Sequence, residues 1–222
     1  MISVLTLTYQ RHHLLEEAIQ SFLLQNREDC EMVIINDSNL VEYQFEHPNI
    51  RIFNLKDRFS SIGDKLRWGY EQCKYNFIYR LDDDDLLYEN ALVNSIKSIE
   101  ANPGRDVYRS ESHYLFENNE YRCISGSVNN GNIYTRDYLD RIDIPLRSGD
   151  EDVDMTFGND SDIYASGDIT MIYRWGMNTY HISGMGINTN DVILSTTDLL
   201  NKESGCITLS PHFEKDYWSC IK

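Results

Sequence analysis

Lysine and arginine are scarce in this chain of 222 residues: 20 of them stand against 36 aspartates and glutamates, a formal charge of −16. That deficit argues against general affinity for a nucleic-acid backbone or an anionic membrane and leaves room only for a local basic patch. Long apolar runs are missing as well. No stretch approaches the ~20 apolar residues of a membrane helix, and no leader precedes the first predicted strand at Ile2. The expectation is therefore a cytoplasmic protein, bacterial or of viral origin in a host cell. Cysteine is sparse and odd in number: Cys30, Cys73, Cys123, Cys206 and Cys220 include no Cys-x-x-Cys pair. Scattered reduced thiols are expected rather than a disulfide framework, and the sequons at Asn36 and Asn159 are then chance matches. A Gly-Lys-Ser/Thr phosphate loop is also absent. "GMGINT" lacks the third glycine of a dinucleotide fingerprint.

What is present is ordinary in bulk, with 41% hydrophobic and 25% charged residues, enough for a proper core in one large domain or two small ones. One feature is not ordinary. Four aspartates, Asp82 to Asp85, end a short apolar run, "FIYRLDDDDLL". Phe77, Ile78, Tyr79 and Leu81 predict a buried strand, being aromatic and β-branched over a short length. Adjacent carboxylates repel one another and gain nothing from burial, so they need water or a cation. Hard divalent ions such as Mn²⁺ or Mg²⁺ prefer carboxylate oxygen and keep positions open for phosphate. A calcium-type EF-hand is excluded, because Leu86 and Leu87 fall where ligands and a glycine are required. With so acidic a chain, a phosphorylated ligand would be easier to hold through a metal ion.

The first half alternates strand and helix. "ISVLTLT" (2–8), "MVII" (32–35) and "IRIFNL" (50–55) predict strands. Leu14, Leu15, Ala18, Ile19, Phe22 and Leu23 recur at helical spacing, as do Ile62, Leu66, Gly69 or Tyr70, and Cys73. A third helix carries Leu92, Ile96 and Ile99 and ends at "ANPG" (101–104). This repetition predicts an α/β fold with right-handed crossovers and a mainly parallel sheet, with ligands bound beyond the carboxyl ends of the strands. That rule alone gathers Thr8, Tyr9 and Arg11 after the first strand, Asp37 and Ser38 after the second, and Asp82 to Asp85 after the fourth.

From residue 105 the pattern changes to shorter, more aromatic strands, "DVYRS", "HYLFE", "EYRCISG" and "GNIYT". A short helix "RDYLDRI", an acidic cluster "GDEDVDM" and a strand "ITMIYRW" follow. The expected organisation is a nucleotide half (1–104) and an acceptor and catalytic half (105–182) packed as one domain, with a C-terminal arm or lid (183–222).

In order and spacing, "SVLTLTYQRHHLLEEAIQSFLLQ", "MVIINDS", "SSIGDKLRWGYEQCKYNFIYRLDDDDLLYENAL" and "GDEDVDM" resemble the successive motifs of GT-A fold glycosyltransferases of the family-two type. The resemblance covers about residues 2–180. Two departures stand out: Asn36 replaces the first of a paired Asp, and Trp68 follows Arg67 where Asn is usual. The resemblance implies a metal-dependent, inverting transfer of a hexosyl or pentosyl group from a nucleoside diphosphate sugar, UDP-linked by preference, to an acceptor hydroxyl. Thr8, Tyr9 and Arg11 would line the base and ribose pocket. Asp37 would accept the imide N–H of uracil, because an ionised carboxylate only accepts. Lys65 and Arg67 would face the nucleotide or its phosphates. Asp82 and Asp83 would lie at the donor, with Asp82 on the ribose. Asp84 or Asp85 would bind Mn²⁺ or Mg²⁺, and His181 could complete the metal site. Asp152 matches the catalytic base, with Glu151 the competitor for that role. The acceptor stays open among glycan, protein, lipid and modified nucleic acid. Two other readings remain: a haloacid-dehalogenase-type phosphotransferase attacking through the Asp run, and a non-catalytic nucleotide-sugar or glycan binder.

Overall fold

A computed structural model of the chain describes residues 1–117, 120–126, 130–147, 151–158, 160–175 and 203–217. His181 lies outside them, as does the stretch 176–202. The first strand, β1 (Ile2–Thr8), is buried along almost its whole length, because it lies between two parallel neighbours, β2 (Cys30–Asn36) and β5 (Phe77–Arg80). A central parallel strand covered on both faces reads as a continuous apolar run for this reason. β4 (Ile50–Asn54) adds to β2, also parallel.

On the other side the sheet continues into the second half of the chain. β10 (Ile133–Thr135) runs antiparallel to both β5 and β7 (Val107–Ser110), and β11 (Ile163–Ser166) lies parallel to β7 at the edge. The order is β11-β7-β10-β5-β1-β2-β4. The mainly parallel sheet read from the sequence is therefore observed, with β10 alone running against it.

Side chains alternate faces along a strand, and two cores result. Ile2 and Val4 pack with Leu15, Ala18, Ile19 and Phe22 of α1 (His12–Leu23) and with Leu92 and Ile99 of α3 (Ala91–Ala101). Leu5 packs on the opposite face with Leu66 of α2 (Ile62–Gln72), Tyr138 of α4 (Arg136–Arg141) and Met155 of α5 (Glu151–Phe157). The helical stripes predicted for α1 and α2 are thus the buried faces of those helices.

Two smaller sheets complete the fold. β6 (Leu86–Leu87), β12 (Met171–Trp175), β8 (Ser112–Glu117) and β9 (Glu120–Ser125) form one, in that order. β13 (Gly205–Thr208) pairs in parallel with β3 (Val41–Gln44) and so returns the described part of the tail to the first half of the chain. Glu203, just before it, accepts the backbone N–H of His12 at 3.1 Å. It thereby caps α1, whose own N-cap residue Arg11 makes no side-chain capping bond.

α2 begins at a tight spot. Ser61 caps it, accepting the N–H of Asp64 at 3.1 Å. Gly63 donates its N–H to the Arg147 carbonyl at 3.0 Å, and a Cβ there would stand 1.7 Å from the Pro145 carbonyl oxygen. Backbone is the obstacle, so no rotamer relieves it. Gly63→Ala is expected to lower stability by ~1–3 kcal/mol, the usual cost of overpacking, as read by urea unfolding. An unchanged midpoint would show that the 145–147 segment moves aside freely.

Candidate active site

Beyond the carboxyl ends of β5, β1 and β2 lies a cavity of about 520 Å³. Its wall includes Thr8, Tyr9, Arg11, Asp37, Lys65, Asp82 and Asp84, which come from four separate segments. The strand-end rule thus brings these segments together, while Ser38, Asp83 and Asp85 are not on the wall.

At the β2 end, Asp37 is buried and fully engaged. Lys65 donates to its Oδ1 and, at 2.7 Å, to the Thr8 carbonyl; the Phe59 N–H reaches Asp37 Oδ2 at 3.1 Å. Burial pulls the Lys65 pKa down, and Asp37 opposes the shift. Each Asp37 oxygen retains a second lone pair for a ligand N–H. Arg58 stacks over the Tyr9 ring, its guanidinium carbon 4.2 Å from the centroid. Arg58, Phe59, Ser60 and Ser61 complete this side of the wall. None of these four was picked out from the sequence, where the segment between β4 and α2 has no periodic signal.

Arg67 departs from expectation. It donates to Asp143 and, at 3.0 Å, to the Ile144 carbonyl, and it is absent from the cavity wall. The reason is helical geometry. Positions two apart on an α-helix are about 200° apart in azimuth, so Lys65 and Arg67 cannot face one ligand.

The Asp run forms a turn, closed by Asp85 N–H on the Asp82 carbonyl at 3.1 Å. Asp82, Asp84 and Asp85 each bring a carboxylate oxygen within 4.8 Å of the others. Asp83 is turned away: Arg11 grips it through Nε, 3.1 Å from Oδ2, and through Nη2, while Arg11 Nη1 reaches Asp84 Oδ2 at 3.1 Å. Asp83 is accordingly not on the cavity wall. Burial pushes Asp83 up to about 6, with Arg11 pulling it down and Asp84 adding to the rise. Asp85 stands well above the usual carboxylate range, through burial and then the charges of Asp84 and Asp82.

Arg80, the last residue of β5, is the link that sequence reading passed over. It is 6% exposed. Its Nη2 donates to Glu151 Oε1 at 3.0 Å and lies 3.4 Å from Asp82 Oδ1, and its Nη1 is 3.4 Å from Asp152 Oδ2. One guanidinium therefore joins the Asp run to the acidic start of α5. Glu151 is sealed against it, whereas the Asp152 side chain keeps 21% of its surface open.

The donor set suits a hard divalent cation. Asp82, Asp83, Asp84, Glu151 and Asp152 share Arg11 and Arg80 as cavity-side cations, and an oxygen-rich site with surplus negative charge favours Mg²⁺ or Mn²⁺ over softer metals.

Comparison with known proteins agrees with this geometry. The model of the family described as glycosyl transferase family 2 matches residues 3–151. The chain belongs to glycosyl transferase family 2. Similar curated proteins include an uncharacterized glycosyltransferase of Rickettsia bellii, 26% identical over 129 residues, covering 55% of this chain and 17% of that protein. Another, from Rickettsia felis, is 27% identical over 130 residues, covering 56% and 20%. The matched part of the chain thus corresponds to about a fifth of the length of these relatives. Among solved structures, S. aureus TarS 1-349 in complex with UDP-GlcNAc superposes with a TM-score of 0.64 at 14% identity, covering 89% of this chain and 65% of that one. The mannosyltransferase PcManGT from Pyrobaculum calidifontis in complex with GDP-Man and Mn²⁺ gives 0.58 at 14% identity, covering 77% and 56%. This family-2 chain therefore has the GT-A-like fold that its motifs implied.

Proposed function

We propose that this family-2 chain is a metal-dependent, inverting glycosyltransferase that moves a sugar from a UDP-sugar to an acceptor hydroxyl. The observation that carries the reading is the meeting, beyond the carboxyl ends of the central strands, of Asp37, the Asp82–Asp84–Asp85 cluster and, across Arg80, Asp152. TarS with UDP-GlcNAc and PcManGT with GDP-Man and Mn²⁺ support a nucleotide-sugar donor and a divalent ion for a chain of this fold.

In this reading Tyr9, Asp37 and Lys65 hold the nucleoside, and Asp84, with Asp82 or Asp85 beside it, holds the ion. A bound Mn²⁺ or Mg²⁺ would supply charge stabilisation to the leaving diphosphate. Asp152 takes the proton of the acceptor hydroxyl. That oxygen then bonds the anomeric carbon as the bond to the diphosphate oxygen breaks on the opposite face, and the configuration inverts. Arg80 keeps the base and the donor motif at a fixed separation. Glu151, sealed and paired, is the weaker candidate for base. The phosphotransferase alternative would leave Asp37, Lys65 and Tyr9 without a role, and the partly open Asp152 beside the donor motif argues against a binder without chemistry.

Asp37 is expected to set the base. In a thermal-shift comparison with Mn²⁺, UDP should raise the melting temperature more than CDP or ADP, because bound ligand stabilises in proportion to its affinity. Asp37→Ala should remove the preference. A purine nucleotide giving the largest shift would overturn the assignment of this pocket.

A further inference from the structure

The metal-binding turn is held from behind as well as from the cavity. Asp85 is fully buried; its Oδ1 accepts the backbone N–H of Arg174 at 2.8 Å, and its Oδ2 accepts the side-chain amide of Asn130. Arg174 belongs to β12, in the second sheet. Its side chain is completely buried, and its Nε donates to the backbone carbonyl of Asp84. The far end of the guanidinium pairs with Glu17 of α1 and lies 3.3 Å from the Tyr217 hydroxyl. That hydroxyl in turn meets both Glu17 oxygens, at 2.9 and 3.1 Å, and the Glu214 N–H reaches Glu17 at 3.0 Å.

An ion pair taken wholly out of water is a poor source of stability, because desolvation offsets the attraction. Its geometry here does something an apolar pair could not. By drawing the Asp84 carbonyl inward, Arg174 fixes the peptide from which the Asp84 side chain projects toward Arg11 and the cavity. Mutually repelling carboxylates left on a free turn would spread apart; a pinned turn presents them ready to bind.

We infer that Arg174 is a positioning residue for the divalent-cation carboxylates, and that Tyr217 keeps it in place through Glu17, so that the segment around 213–217 supports the metal site from outside the cavity. This rests on the metal-dependent reading above. The test is direct Mn²⁺ binding, read as the loss of the free-ion electron paramagnetic resonance signal, with no substrate present. Three variants are compared with wild type: Tyr217→Phe, the charge-balanced double Glu17→Met with Arg174→Met, and Asp84→Ala. Thermal unfolding in EDTA reports folding separately.

Loss of an outer-shell partner typically weakens metal affinity ~10–100-fold, and the double variant should fall in that range. Tyr217→Phe should weaken it in the same direction by less. A cooperatively unfolding double variant whose affinity stays within about threefold of wild type would overturn the inference, because that is well short of an outer-shell loss. If the double variant does not fold cooperatively, Tyr217→Phe decides, and unchanged affinity there overturns it. Should Asp84→Ala abolish binding while both other variants keep it, this inference falls and the metal reading stands. Should wild type itself fail to bind Mn²⁺, both fall.

Discussion

Replacing Asp152 with asparagine is expected to reduce sugar transfer by ~10²–10⁴-fold, the usual cost of losing a general base, while leaving donor affinity nearly intact. The amide keeps the shape of the side chain and can still face Arg80, whose Nη1 lies 3.4 Å from Asp152 Oδ2 in the native chain. It cannot take a proton. The loss should therefore appear in kcat rather than in donor binding. The companion variant is Glu151→Gln. Glu151 is 3% exposed and bonded to Arg80 at 3.0 Å, so this change should perturb folding more than chemistry. If Glu151→Gln is folded and inactive while Asp152→Asn turns over normally, the base is Glu151. If both keep near-native turnover, the base lies elsewhere than at the start of α5.

The second large effect is expected at Asp84. Loss of an outer-shell partner already costs ~10–100-fold in metal affinity, so removing the ligand proposed at Asp84 with Asp84→Ala should exceed about 100-fold. UDP affinity should fall with it, because the chain is acidic and the cavity holds few cations free of carboxylate partners. The effect should vanish in EDTA, where wild type and variant bind nucleotide equally poorly. Calorimetric titration of both proteins, with and without Mn²⁺, gives the comparison.

Much of this could be read from the sequence, and the pattern of what could not is physical. β1, β2, β4 and β5 are legible as short apolar runs, and α1 and α2 by stripes at helical spacing that mark their buried faces. β6 has only two residues and no residue of β11 is fully buried, so neither carries a period. β3 does alternate buried and exposed, yet four residues after an irregular loop are too few to read. Around the site, the carboxylates were legible as a local run and their counter-ions were not. Arg80 and Arg174 each sit within apolar strands, where an arginine is ordinarily taken for an exposed position. Both are buried, because carboxylates distant in sequence surround them: Glu151 and Asp152 for Arg80, Glu17 for Arg174. The expectation that the Asp run needs a cation was sound, but the chain supplies part of that charge itself through Arg11 and Arg80. Arg67 and Asp83 lie off the cavity wall, because neighbours in sequence on a helix or in a tight turn do not share a direction.

The cavity is expected to bind a uridine nucleotide through a divalent ion held by the Asp run. Titrating UDP into the wild-type chain by calorimetry, once with Mn²⁺ and once with EDTA, tests it most directly. Saturable binding is expected with Mn²⁺, and markedly weaker binding in EDTA. Equal affinity in the two titrations, or no binding in either, would contradict it.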